Sequence, residues 1–212
     1  MIERVKKVGQ WLSLYLAIVS FSIIIVINST FIYRFFVTTS HLEKKVGLSQ
    51  AGLMTDYKNL LRYFNYPWVN KLQMTLPSSY DGMQHYHDVK QLFLLNYICF
   101  IIFGFIAITF IIRLVKQKEL WRLIRPFQIA ATIPFIGVFL FFFNFEHYFI
   151  LFHELMFRNN DWIFYPQLDP IILALPENFF MICFLLVFIL IELFFFIGIY
   201  VGKREIKRTL RS

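Results

Sequence analysis

Residues 84–112 read QHYHDVKQLFLLNYICFIIFGFIAITFII, with His85, His87, Asp88 and Lys90 set directly ahead of a run, residues 92–112, that contains no charged residue. Such a run suits a hydrocarbon core about 30 Å thick, which takes roughly 20 helical residues. Residues 11–31 and 127–145 are runs of the same kind, and 179–201 is another with Glu192 as its one charged residue. The sequence therefore predicts an all-α membrane protein with four transmembrane helices, because lipid offers the backbone no hydrogen-bond partners. The composition agrees: the 212-residue chain is 58% hydrophobic and 16% charged, far from the usage of soluble domains.

Basic residues set the orientation. Arg4, Lys6 and Lys7 precede the first span, and Arg113, Lys116, Lys118, Arg122 and Arg125 lie between the second and third. Lys203, Arg204, Lys207, Arg208 and Arg211 follow the fourth. By the positive-inside rule these segments and both termini are expected in the cytoplasm. Residues 32–91 and 146–178 then form an extracytoplasmic cap on a single membrane domain, residues 1–212. The net charge of +8 is explained by this topology, since most of the 21 basic residues sit in the three cytoplasmic segments; no nucleic-acid partner is implied. The first span is too long, and too poor in small residues at its end, for a cleaved signal peptide, and reads as a retained anchor. Cys99 and Cys183 both fall inside spans, which argues against a disulfide framework or a CxxC site.

The cap has its own signals. Ser49 is a plausible N-cap, and Leu53, Tyr57, Leu60, Leu61 and Phe64 follow at helical spacing. Asn65, Tyr66 and Pro67 should end that helix. Leu72, Met74 and Leu76 alternate with polar residues like a short strand, closed by Pro77 and an Asp81-Gly82 turn, so the cap is expected to be small and mixed. The second cap segment is rich in aromatics, and Tyr148, Trp162 and Tyr165 are expected at headgroup depth.

The second span runs inward from its start and the third runs outward to its end, which brings His85 and His153 to the same membrane surface. Histidine exchanges a proton near neutral pH, so a convergent pair is a candidate general acid and base. Either one alone reads more readily as a structural or solvated residue than as a catalytic one. A metal or haem site using His85 and His87 is the alternative, completed by His153 or Glu154. On a strand the two would share a face; on a helix they would lie about 200° apart. No HExxH or Cys/His spacing supports a metal, and no cofactor is expected. His41 and His147 read as surface groups. Glu192, inside the fourth span, reads as a bundle contact, and Pro134 as a kink in the third. GxSxG, P-loop and dinucleotide patterns are absent, and Ser78 and Ser79 have nothing around them that marks a nucleophile.

The ordered motifs carry a resemblance. His85-x-x-Asp88-Val89 ahead of the second span is followed by Phe152-His153-x-x-x-Phe157. Then come Trp162-x-Phe164-x-Pro166-x-x-Asp169 and Pro176-x-x-Phe179-Phe180. Together with the "GLS" at residues 47–49 and the four-span layout, this set resembles the bacterial lipoprotein intramolecular transacylases over nearly the whole chain. The resemblance implies transfer of the sn-2 acyl chain of a diacylglyceryl-cysteine lipoprotein to the α-amino group of the same cysteine, giving a lyso-form lipoprotein. His85 and His153 take the catalytic positions. Asp88, Arg158, Trp162 and Asp169 are orienting or substrate-positioning candidates, with capping of the second span an equal account of Asp88. The implied partners are diacylated bacterial lipoproteins and membrane lipid, and a monomer is favoured. A non-catalytic membrane scaffold is a further alternative.

Overall fold

The computed structural model describes residues 2–210. Its helices are α1 (Ile2–Ile27), α2 (Thr30–Thr39), α3 (Leu42–Val46), α4 (Gln50–Asn65), α5 (Tyr80–Gln117), α6 (Ile124–Ala130), α7 (Thr132–Phe143), α8 (Phe145–Met156), α9 (Ile171–Ala174) and α10 (Glu177–Thr209), with a 3-10 turn at Leu120–Leu123. Four helical stretches are long and apolar enough to cross a membrane: Glu3–Ile27, Tyr80–Gln117, Leu120–Phe143 and Glu177–Thr209. The chain divides into two compact units, a span unit (Met1–Val26, Tyr97–Phe143 and Phe184–Ser212) and a histidine unit (Ile27–Asn96 and Asn144–Cys183).

In the span unit the core is apolar and close-packed. Leu14, Phe110, Leu114, Phe127 and Phe195 are buried together, with Trp11 edge-on to Phe110 at 5.2 Å and Phe127 against Phe195 at 5.0 Å. Gly198 permits this packing, since a methyl group there would overlap the Phe127 ring. Small residues serve this purpose between membrane helices, where van der Waals contact rather than water exclusion drives association. The hydroxyls of Ser13 and Ser22 donate to Gly9 O and Ile18 O, one turn back in α1, so neither needs a partner on another helix.

The third span is interrupted between α6 and α7, just ahead of Pro134. The ring of a proline clashes with the carbonyl four residues earlier; that residue is Ala130, where α6 stops. Pro134 lies in the first turn of α7, where a missing N–H costs nothing because first-turn N–H groups have no intrahelical acceptor. Glu192 of α10 lies against the backbone N–H of Phe135, next in that turn. Its Oε2 is buried without a hydrogen-bond partner.

In the histidine unit α4 forms as its sequence predicts. The Ser49 hydroxyl accepts from Gly52 N at 3.1 Å, and Leu53, Tyr57, Leu60 and Phe64 are buried. Tyr57 stacks on Tyr33 of α2 at 4.0 Å, and Phe179 meets both rings edge-on. The pre-proline residue Tyr66 is extended and ends α4.

Two sequence expectations are corrected here. No strand occurs among the described residues: the segment from 66 to 79 is irregular. A lone alternating run has no neighbouring strand to bond, and the buried carboxylate of Asp56 takes its amides instead. Asp56 accepts from Thr75 N at 2.9 and 3.0 Å and from Leu76 N at 3.0 Å. The second correction concerns Asp81 and Gly82, which stand in the first turn of α5 rather than in a reverse turn. The helix that carries the second span thus starts twelve residues before the apolar run does, and His85, His87 and Asp88 are helical.

Candidate active site

Because α5 begins at Tyr80, the helical alternative for His85 and His87 holds, and the two side chains diverge. His85 is 9% exposed, whereas His87 faces outward and approaches Gln91 at 3.4 Å. His153, from the last turn of α8, is 8% exposed. The two buried rings come together with centroids 5.8 Å apart and planes 37° apart. A pair separated by 68 positions in sequence is therefore adjacent, both members on helices and neither on a loop.

An aromatic cup surrounds them. Phe157 lies 4.8 Å from His85 and 5.6 Å from His153, and Phe164 lies edge-on to His85 at 5.5 Å. Phe149 approaches His153 at 4.3 Å and Trp162 at 4.9 Å. Trp162 is thereby turned onto an imidazole, and its Nε1 is buried without an acceptor; Tyr165 of the same loop is exposed.

The cup also sets the protonation states. His153 Nδ1 lies 2.7 Å from the carbonyl oxygen of Phe149. A carbonyl only accepts, so Nδ1 carries the proton and Nε2 is left with its lone pair. Burial lowers the His153 pKa, and the Phe149 carbonyl offsets part of that. His85 stands in the first turns of α5, ahead of the apolar run, and its Nδ1 is buried without a partner. Burial, helped by repulsion from His153 and opposed by Asp88, lowers its pKa to about 4. Both imidazoles are neutral at neutral pH, and each keeps a ring nitrogen able to accept a proton.

The residues around the pair hold the loop from 157 to 170 against α5. Asp88, one turn beyond His85, lies too far into α5 to cap it. Its carboxylate accepts from Asn159 Nδ2 at 2.9 Å. Asp169, 2% exposed, accepts from Ser79 N at 2.8 Å and Ser79 Oγ at 2.7 Å, and Ser79 Oγ accepts from Gly82 N at 2.9 Å. Ser79 is thus the N-cap of the histidine helix and Asp169 its support from the opposite segment. Any side chain at Gly82 would collide with the Asp169 carboxylate. Arg158 is exposed. His41 pairs with Glu43 at 3.4 Å, and His147 is exposed beside Tyr148. No group of three His, Cys, Asp or Glu residues suited to a metal gathers among the described residues. Asn159, Ser79, Gly82 and Phe149 were not legible as site residues in the sequence, since nothing local to Asn159 signals its bond to Asp88.

The fold and the site define a multi-pass membrane protein with a buried pair of adjacent histidines. The sequence model of the family described as lipoprotein intramolecular transacylase Lit matches residues 8–180, and the chain belongs to that family. It is an acyltransferase of lipoproteins. The structure is similar to that of the membrane-integral lipoprotein intramolecular transacylase Lit from Bacillus cereus, solved in meso. The TM-score is 0.91 at 26% identity, covering 100% of this chain and 99% of that one. Structures of the Bacillus cereus protein with an H85R and with an H85A mutation match with TM-scores of 0.84 at 25% identity, covering 100% of this chain and 95% and 96% of those. No curated protein matches the chain.

Proposed function

We propose that His85 and His153 move the protons of an O-to-N transfer in which the sn-2 acyl chain of a diacylglyceryl-cysteine lipoprotein passes to the α-amino group of the same cysteine. The observation that carries the proposal is the pair itself, two neutral imidazoles 5.8 Å apart at the bottom of an aromatic cup. The substrate supplies both nucleophile and electrophile, so no acyl-enzyme forms. The amine nitrogen attacks the ester carbonyl through an eight-membered ring. Such rings close reluctantly, and holding the substrate in a near-attack geometry is worth several kcal/mol.

His153 is the base. Its Nε2 takes the proton that the nitrogen sheds on attack, and the Phe149 carbonyl stabilises the imidazolium through Nδ1–H. The imidazolium of His153 passes that proton to His85. The C–O bond to glyceryl C2 is not touched; the bond between acyl carbon and ester oxygen breaks, and His85, now carrying the proton, gives it to the departing oxygen. Both rings end neutral, and the products are an N-acyl amide and a monoacyl glyceryl. The unpartnered Nε1–H of Trp162 is the donor for the carbonyl oxygen as it becomes negative. A buried donor without an acceptor costs about 1–3 kcal/mol, a cost the bound carbonyl removes. Phe157 and Phe164 exclude water, which would otherwise compete with the amine. Asp88, Arg158 and Asp169 position rather than react. The basic residues ahead of the first span, between the second and third and after the fourth support a cup at the extracytoplasmic face with both termini in the cytoplasm.

Expression in a bacterium that makes diacyl lipoproteins tests the reading. Intramolecular transfer conserves mass, so the informative signal is the N-terminal lipopeptide fragment, which should carry an N-acyl group and a monoacyl glyceryl. In His153→Ala and His85→Ala the fragment should fall by roughly 10²–10⁴-fold, the usual contribution of general acid–base groups. Undiminished product from either well-folded variant would overturn the assignment.

A further inference from the structure

The first connecting segment contains a construction that the transfer does not use. Trp68 is 72% and Tyr66 46% exposed, and their rings pack together at 5.2 Å just after α4 ends. Behind them Lys90 is 5% exposed. Its Nζ donates to Val69 O at 2.6 Å and to Pro67 O at 3.5 Å, and lies 4.5 Å from the centre of the Tyr63 ring. A lysine is almost never buried without a paired charge. Here carbonyl dipoles and a ring face hold the ammonium. The backbone carbonyls of the turn are thereby directed inward to Lys90, while its two aromatic side chains are left outside.

Exposed paired aromatics are a liability in water and an asset at a membrane boundary, where Trp and Tyr place apolar rings in the interface and polar atoms in the headgroups. Lys90 locates that boundary, because it stands two residues ahead of the apolar run that begins at Leu92. The charge around the turn fits the same partner. Lys58, Arg62 and Lys71 are exposed, and between residues 44 and 80 the one carboxylate is Asp56, which is buried and already bonded to backbone. Trp162, the tryptophan of the other connecting segment, is turned onto His153 instead.

We propose that the turn formed by Tyr66, Pro67 and Trp68 is an interfacial anchor that seats the histidine unit in the headgroup layer of an anionic phospholipid bilayer, with Lys90 as its internal strut. The proposal is independent of the histidine mechanism. Full-length protein carrying fluorotryptophan, in vesicles of phosphatidylglycerol and phosphatidylcholine, gives one fluorine resonance per tryptophan, and Trp68→Phe identifies the one that belongs to Trp68. A nitroxide attached near the lipid headgroup should broaden that resonance to disappearance; a nitroxide at the acyl end and a water-soluble gadolinium chelate should leave it visible. Omitting phosphatidylglycerol should weaken the headgroup effect. Lys90→Met, with the other resonances in place, should expose Trp68 to the chelate. Broadening by the chelate in the wild-type protein, or protection from both reagents as by a covering protein, overturns the anchor. Behaviour unchanged without phosphatidylglycerol overturns the preference for anionic lipid, and behaviour unchanged in Lys90→Met overturns the strut.

Discussion

The two units of the molecule place their long-range polar bonds differently. In the span unit the buried hydroxyls are satisfied locally, Ser13 and Ser22 donating four residues back along their own helix. Glu192 aside, its long-range side-chain bonds, Arg113 Nη2 to Gln10 Oε1 and Trp121 N to Glu205 Oε2, involve residues outside the apolar runs. In the histidine unit they reach far along the chain. Asp56 bonds to amides 19 and 20 residues away, Asn159 to Asp88 across 71 residues, and Asp169 to Ser79 across 90. A helix in lipid carries its own hydrogen bonds, so its side chains need only pack. An irregular segment lacks that internal satisfaction, and a buried carboxylate that collects several N–H groups becomes a point on which the unit depends.

Single substitutions should expose this difference, most at Asp56. Asp56→Ala strands the amides of Thr75 and Leu76 and removes charge-assisted bonds worth about 1.5–3 kcal/mol each. It should cost at least about 3 kcal/mol, read as a lower Tm in detergent and as new proteolytic cleavage between residues 66 and 79. Asp169→Asn keeps an acceptor for Ser79 and should cost about 1–2 kcal/mol. Because Asp169 acts on the site only by supporting the helix of His85 and the loop of Trp162, kcat should fall in this variant while its pH profile keeps its shape. The span unit supplies the contrast: Ser22→Ala should change stability by no more than about 0.5 kcal/mol, since a hydroxyl bonded to its own helix adds nothing that packing lacks.

Acid provides another way to sharpen the comparison. The folded-state pKa of His85 is lowered from 6.5 to about 4, so its neutral burial contributes stability that is present above the unfolded value and lost as pH falls through the folded one. Tm of the wild-type protein should decline between pH 6.5 and about 4. In His85→Gln, which has no such proton to bind, the decline should be shallower, although His153 leaves a residual slope.

The site was legible in the sequence to an uneven degree. His85 and His153 stood out because titratable groups are conspicuous beside apolar runs and because alternating spans return the chain to the same surface. Asp169 appeared only as a motif position. Its physical task depends on Ser79 and Gly82, which look like ordinary loop residues until α5 is seen to begin at Tyr80. The alternation at Leu72, Met74 and Leu76 pointed to a strand because period and composition carry no information about whether a partner strand exists. Asp56, in the middle of a well-marked helix, gave no sign that it would bond the backbone of a later segment.

Composition and periodicity by themselves determined the helices of the spans and the capped helix α4, because each of these is satisfied within a few consecutive residues. Only the tertiary structure decided that His85 turns inward and His87 outward, that Trp162 lies on His153, and that three carboxylates hold the connecting segments in place. Those outcomes depend on partners tens of residues away, and a local pattern cannot encode the distance between groups that the chain brings together only on folding.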